Sequence, residues 1–318
     1  MKMNDIHLAV AFDQNYITPF FVLATSIFEN NKGNSFCFHV ISTGVNSEEK
    51  QEIERFVQVH QSSIEFYTIS PEQTAGLVVP EHMYFTLAAY YRLFFPALVP
   101  AAIDKLLYLD TDIVVIGNLA ELYQTDVAGF PVGAVAEVRV TKSRPDLGLY
   151  EEGNYFNSGV MLINIPEWKK QQITEKAIQF VHDFPEKIVF VDQDALNVVI
   201  RSNYVKLNTR FNVLPSDIPK CLPKNQYGTF LKGKVIMHYT LKHLKPWNKD
   251  CAHKFRYLYT GYLQKSPRML KKKAERARLS TRMAITILRI WAIEAVLNLP
   301  KVSAVVAKLV DEDIASFM

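Results

Sequence analysis

The chain is predicted to fold as an α/β protein, a mostly parallel sheet with helices on its faces. Three observations carry this reading. Short apolar runs alternate with helix-spaced segments from the start of the chain. The connections between them hold the Gly, Pro, Asn and Asp residues of turns and caps. With 318 residues, 49% of them hydrophobic and 21% charged, the chain is long and apolar enough to bury the core such a sheet needs.

The elements follow in order. Ile6–Phe12 reads as a short strand, and Thr18–Glu29 as a helix with Phe21, Ala24, Thr25 and Phe28 at helical spacing. Phe36–Ile41 is a second strand, Ser47–Val59 a helix opened by a Ser cap, and Ile64–Ile69 a third strand. Strand–helix–strand–helix–strand is the βαβ pattern of a parallel sheet. After a loop near Pro71–Glu81, Thr86–Phe95 reads as a helix stopped by Pro96. Lys105–Tyr108 opens a strand that runs into LYLDTDIVV. Val132–Ala136 and Ser158–Ile163 are strands, Trp168–Phe184 and Gln193–Arg201 helices, and Val235–His238 a late strand. Gly148–Phe156 is polar, aromatic and glycine-containing. It is either a mobile loop over a site or a plain surface loop. One domain over 1–265 and a distinct segment over 266–318 are expected.

Charge supports that division. The net charge is +4, yet Lys265 to Arg289 alone carries +8, leaving −4 for the rest. The body is therefore a poor nucleic-acid binder, and the basic segment suits an anionic surface. Arg278, Arg282 and Arg289 fall on one helical face, and Met283, Ile287, Ile290 and Trp291 on the other, as in helices that lie on membranes. Packing on the body or on another subunit is the alternative. Cys37, Cys221 and Cys251 form no CxxC, which argues against a disulfide framework and a structural zinc site. The N-terminal residues do not read as a signal peptide, and Met283–Leu299 is too short and too charged to span a bilayer. A cytoplasmic protein, peripheral at the membrane, is the expectation.

Several segments carry chemistry. Asp110 and Asp112 end an apolar run; on a regular strand such carboxylates point the same way, and two hard oxygen ligands suit Mg²⁺ or Mn²⁺. A strand-end Asx-turn is the alternative, and Asp192-Gln193-Asp194 and Asp311-Glu312-Asp313 match the same pattern. His238, followed by Lys245-Pro246-Trp247, is either a metal ligand near a phosphate-binding cation or an ordinary histidine. Asp13, Asn15 and Tyr16 after the first strand have the groups to read a nucleobase, or form a simple turn. Arg92 lies in an apolar stretch, snorkelling or paired with Asp110 or a phosphate. The Asn and Gly of FNSGVMLINI would let backbone approach a sugar. Asp192 and Gln193 sit at a helix start, where an N-cap is the plain reading.

The order VAFDQNY, YYRLFFP, LLYLDTDIVV, YFNSGVMLIN, FVDQDALN, MHYTLKHLKPW closely resembles glycosyltransferase family 8, over about residues 6 to 250. The resemblance implies a GT-A fold, Rossmann-like with a mixed sheet, and retaining transfer of a hexose, glucose or galactose, from a UDP-sugar to a saccharide or glycolipid acceptor such as lipopolysaccharide. It implies Mn²⁺, with Mg²⁺ as substitute, held by Asp110, Asp112 and His238. Ala11, Asp13, Asn15 and Tyr16 match the uridine segment, Arg92 a donor-site arginine, Asn157 a sugar contact and Lys245 the diphosphate lysine. Asp192 and Gln193 match the segment beside the reacting carbon, and Glu137 stands where relatives carry an acceptor-site acid. The family's Gly shortly after the metal-binding His is missing, since Tyr239, Thr240, Leu241 and Lys242 follow here. The division of labour between Lys242 and Lys245 stays open. LDTDIV also fits the haloacid-dehalogenase phosphatase pattern, and a non-catalytic sugar-nucleotide-binding protein is a further alternative.

Overall fold

The computed structural model describes residues 5–80, 85–137, 144–151, 153–249 and 251–269, with single positions 285, 288, 289, 292, 295, 296, 299, 302 and 305. The strands are β1 (Ile6–Asp13), β2 (Phe36–Thr43), β3 (Ser63–Tyr67), β4 (Lys105–Leu109), β5 (Ile113–Val115), β6 (Val132–Ala136), β7 (Phe156–Asn164), β8 (Val205–Lys206) and β9 (Ile236–His238). Among the described residues, seven form one sheet in the order β3-β2-β1-β4-β7-β6-β8, and β5 pairs with β9 in a second. β7 alone runs against its neighbours; the others of the large sheet point one way. This is a GT-A-type sheet, mixed and mostly parallel, as expected. The strand order reverses between β1 and β4, and the crevice outside their carboxyl ends is where such sheets bind ligands.

Two apolar layers hold the sheet. On one face Leu8, Val10 and Phe12 pack with Phe20, Phe21 and Ile27 of the helix Ile17–Asn30. That helix is buried nearly all round because Arg256–Lys265 covers its far side. On the other face Ala9, Tyr108 and Met161 pack with Ala177 and Val181 of the helix Ile173–Asp183 and with Ala195 and Leu196 of the helix Val191–Ile200. Ser47–Val59 buries only Ile53 and Val57, so its start depends on capping. The cap is Asn46, one residue before the expected Ser, with Glu49 bonding back to the Asn46 backbone.

Local differences from the sequence reading have local causes. The segment expected as a helix over Thr86–Phe95 is a 3-10 stretch, Leu87–Leu93. Pro96 does not stop it but sits in the first turn of the short helix Phe95–Leu98, where its missing N–H costs nothing. The helix expected over Trp168–Phe184 is two, Ile165–Lys170 and Ile173–Asp183, because Gln172 takes a left-handed backbone, φ 55°. β7 starts at Phe156, which places Asn157 and Ser158 inside the strand. Around Gly148–Phe156, Leu149 and Tyr155 are buried while Tyr150 is 80% exposed, and Tyr204 bonds the Gly153 carbonyl.

At the end of the domain the Arg268 guanidinium lies over the Phe21 ring, 4.9 Å from its centroid, and pairs with Glu52 at 3.1 Å. Beyond it Ile285, Leu288 and Arg289 are helical and exposed. Arg278, Arg282, Met283, Ile287, Ile290, Trp291 and Asp311-Glu312-Asp313 lie outside the described residues. No helix among the described residues is long and apolar enough to cross a membrane.

His253 packs edge-on to Tyr239 beside the third core cluster. Its Nδ1 accepts the Phe255 N–H, and its buried Nε2 meets no partner among the described residues. Burial lowers its pKa from 6.5 to about 4. The unfolded chain therefore binds the extra proton first as pH falls, and the contribution present above pH 6.5 is lost between about 6.5 and 4. Urea midpoints measured across that window should fall, and His253→Phe should flatten the slope. An unchanged slope in the variant would show that His253 does not titrate there.

Candidate active site

The site forms where the chain leaves the large sheet. β4 ends at Leu109, the turn Asp110-Thr111-Asp112 follows, and β5 begins at Ile113 in the small sheet. The two carboxylates therefore converge through a turn rather than through strand alternation. β5 pairs with β9 so that Ile113 faces His238, and the Tyr239 N–H bonds the Asp112 carbonyl. β7 runs back along β4, and the Asp110 N–H bonds the Gly159 carbonyl at 2.8 Å.

Asp110, Asp112 and His238 each offer one ligand atom, all within 4.8 Å of one another. His238 Nε2 is 3.1 Å from Asp112 Oδ1 and 3.7 Å from Asp110 Oδ2. A relay of amides sets its tautomer. The Gly159 N–H bonds Asn157 Oδ1, so the Asn212 amide donates to that oxygen and turns its own Oδ1 to His238 Nδ1, 2.9 Å away. The imidazole thus donates from Nδ1 and aims the Nε2 lone pair at two carboxylates. Lone pairs that face one another need a cation or proton between them, and one imidazole with two carboxylates suits a hard divalent ion. The set fits a divalent metal on this chemistry. Gly159 makes the room, since a Cβ there would lie 2.5 Å from Asp110 Oδ2 and closer still to the His238 ring. Its lack of a side chain leaves room for the ligands.

Cations offset the acids. Arg92 is buried, with Nη2 3.0 Å from Asp110 Oδ1 and Nε 3.0 Å from Asp192 Oδ2. Its Nη1 bonds Ser158, and its plane lies over Tyr108. Arg92 is thus the buried partner of Asp110 that the sequence allowed, and of Asp192 as well. Lys245 pairs with Asp112 and lies beside the Trp247 ring. Burial pushes the Asp112 carboxyl up, but the Lys245 ammonium beside it pulls it well below the usual carboxylate range. Burial lifts Asp192 to about 7; Arg92 opposes the rise, and the nearby Asp110 adds to it.

Val191 opens the helix Val191–Ile200 at φ 41°, a conformation that costs a β-branched residue energy and is kept where packing demands it. It turns Asp192 toward Arg92 and Gln193 toward the cleft. Gln193 Oε1 accepts from Asn157 Nδ2 at 3.1 Å and from the Ser158 N–H at 3.0 Å; its Nε2 donates to Tyr155. Asp194 is fully buried and accepts from Arg144, Tyr155 and two backbone N–H groups. This second carboxylate pair is thus split between a cleft residue and an internal brace.

Ala11, Asp13, Tyr16 and Glu137 line the same cleft as the carboxylates. Asp13 caps the turn after β1 by accepting the Asn15 N–H, and Asn15 itself is exposed outside the lining. Tyr16 packs edge-on to Trp247. Burial raises the Glu137 pKa, opposed by the bond from Asn157 Nδ2. Sequence reasoning missed Asn212, Ser158, Tyr108 and Tyr155. Asn212 in RFNVLP stands in no motif, and only its burial shows its place.

The family model described as Glycosyl transferase family 8 matches residues 7–251. General stress protein A of Bacillus subtilis (strain 168) is 29% identical over 274 residues, covering 83% of this chain and 95% of the relative. A lipopolysaccharide 1,2-glucosyltransferase of Escherichia coli is 34% identical over 259 residues, covering 78% of this chain and 76% of the relative. Among solved structures, the galactosyltransferase LgtC in complex with donor and acceptor sugar analogs superposes with a TM-score of 0.72 at 23% identity. That match covers 88% of this chain and all of that one, and it shows the shared fold.

Asn212→Ala removes the acceptor that holds His238 in its ligating tautomer. Mn²⁺ affinity, read from free Mn²⁺ by electron paramagnetic resonance, should fall about 10–100-fold with the fold intact by circular dichroism. Unchanged affinity would mean that the amide relay does not orient the imidazole.

Proposed function

The chain belongs to glycosyltransferase family 8, and on that premise we propose that it moves a hexosyl group from a UDP-hexose to a saccharide acceptor, with retention at the anomeric carbon. UDP-glucose or UDP-galactose is the proposed donor, and a glycolipid of the lipopolysaccharide type the acceptor. The observation that carries the reading is the convergence of Asp110, Asp112 and His238 Nε2 at the cleft lined by Asp13 and Tyr16. The relative named as a lipopolysaccharide 1,2-glucosyltransferase supports the acceptor class.

Asp110, Asp112 and His238 would hold Mn²⁺, or Mg²⁺ in its place. Bound there, the ion would offset the charge that grows on the departing diphosphate. Lys245, already beside Asp112, adds a second positive charge on the diphosphate side. Asp13 and Tyr16 offer an acceptor and a ring to the uracil, with Ala11 leaving room and Asn15 at the rim. Gln193 lines the cleft with its Oε1 fixed by Asn157 and Ser158, which would place an amide oxygen near the positive charge that develops on the sugar. An amide is a poor nucleophile, and Asp192 is occupied by Arg92 and Ser158. Attack by the acceptor on the leaving-group face is therefore the favoured route. Asn157 and Glu137 border the sugar-binding end.

We also propose that residues 266–318 form an appendage to the domain over 1–265 and hold the enzyme at an anionic membrane. The +8 charge of Lys265 to Arg289, with exposed Ile285, Leu288 and Arg289, supports this. Each basic side chain near an anionic leaflet contributes about 1 kcal/mol. Val302, half-buried against the third cluster, favours instead a segment folded back on the body.

Release of UDP from UDP-glucose, UDP-galactose and UDP-N-acetylglucosamine, with Mn²⁺ or chelator, tests the chemistry. Activity should depend on the ion, be inhibited more by UDP than by GDP or ADP, and fall at least about 100-fold in Asp112→Asn. Release of inorganic phosphate instead of UDP would favour the phosphatase reading, and full activity in that variant would remove the metal assignment. For the tail, sedimentation with anionic vesicles at low salt should retain the full chain and not a version ending at Met269. Equal behaviour of the two would assign the segment to packing on the body.

A further inference from the structure

A second cluster of ligating side chains lies at the other end of the sheet. β1 and β2 run parallel with His7 opposite Cys37 and Ala9 opposite His39. His7, Cys37 and His39 share one face, because side chains alternate along a strand and Ala9 and Ile41 on that face pack in the second core cluster. The cluster stands at the amino ends of the strands. Six residues of β1, about 20 Å at 3.3 Å each, separate His7 from Asp13 in the cleft.

The donor atoms of the three residues all lie within 4.8 Å of one another. His7 Nδ1 and His39 Nε2 are 3.1 Å apart. Two nitrogens each about 2.05 Å from a tetrahedral zinc stand about 3.3 Å apart, so this pair already has nearly the spacing of two zinc ligands. The other nitrogen of His39 is held as ligating histidines are held. Its Nδ1 is 2.8 Å from the Tyr67 hydroxyl, and that hydroxyl donates to Glu65 Oε2 at 2.7 Å. The Tyr67 proton is committed to Glu65, so His39 Nδ1 donates and the Nε2 lone pair faces His7 and Cys37. Metal-ligating histidines commonly have this carboxylate-terminated support.

We propose that His7, Cys37 and His39 form a second metal site, for a borderline-soft transition ion of the Zn²⁺ class, separate from the cleft. Two imidazoles and a thiolate prefer such an ion, whereas the oxygen-rich set in the cleft prefers Mn²⁺ or Mg²⁺. The two sites of one chain would thus sort metals by donor softness. The Cys37 thiol would give its proton to solvent as the sulfur–metal bond forms. His7 and Cys37 are half-buried, which leaves the cluster open to an ion from solvent. Cysteine spacing pointed away from zinc because it looks for Cys pairs; here a single cysteine joins two histidines. The ion would tie β1 to β2, and through Tyr67 and Glu65 to β3.

Co²⁺ tests this in the full chain. Thiolate ligation gives cobalt a sulfur-to-metal charge-transfer band in the near ultraviolet, and the cleft ligands contain no sulfur, so the band reports this site alone. One equivalent of Co²⁺ should bring up the band, Zn²⁺ should abolish it, and excess Mg²⁺ should leave it. Cys37→Ser should lose it, Cys221→Ser and Cys251→Ser should keep it, and His39→Gln should need at least tenfold more Co²⁺. No band at saturating Co²⁺, or a band that persists in Cys37→Ser, would overturn the site. Should Cys37→Ser fail to fold, alkylation of Cys37 in the native chain decides: Zn²⁺ should slow it at least tenfold, and an unchanged rate would equally overturn the proposal. UDP-sugar turnover is read separately in each variant, so the outcome is independent of the proposed glycosyl transfer.

Discussion

Three carboxylates, Asp110, Asp112 and Asp192, crowd the carboxyl end of β4, and much of the surrounding packing follows from offsetting their charge. Arg92 lies between Asp110 and Asp192, and Lys245 covers Asp112. Removing one partner of such a buried pair costs about 3–5 kcal/mol, because the remaining charge is left without compensation. Two cations stand against three acids, and His238 turns Nε2 toward Asp110 and Asp112. A site with this balance is poised for a divalent ion. Burial lifts Asp192 to about 7 even with Arg92 beside it.

Strand directions decide where the charge is met. β7 runs antiparallel to β4, so its first residues, Asn157 to Gly159, stand beside the last residues of β4. They supply amides and a bare backbone at the point of greatest crowding. The passage from β4 to β5 carries the chain into a different sheet, where β9 brings His238 alongside. A wholly parallel sheet would place the start of β7 at the opposite edge and leave the carboxylates facing solvent. The same geometry separates the two candidate metal centres, the oxygen-rich one at the carboxyl ends of the strands and the His7, Cys37 and His39 cluster at the amino ends.

Several features of this protein were legible in sequence for definite reasons. The alternation of strands and helices shows because burial imposes a period on apolar residues, and the parallel β1, β2 and β3 follow from it. The Asp110 and Asp112 pair is local, and six motifs in a fixed order mark the family without reference to any tertiary contact. Boundaries were less legible where one residue's backbone decides them, as at Gln172 and Pro96.

Sequence by itself thus determined the fold class, the family and the chemical type of the site residues. Only tertiary structure decided which of them meet. His238 reaches Asp112 across 126 positions, and Asn212, which sets its tautomer, belongs to no motif. His7 and His39 read as ordinary strand residues until pairing put them side by side. The physical reason is that periodicity records which face a side chain takes, a local property of the backbone. Its neighbours on that face depend on strand order, direction and register, which follow from packing of the whole chain.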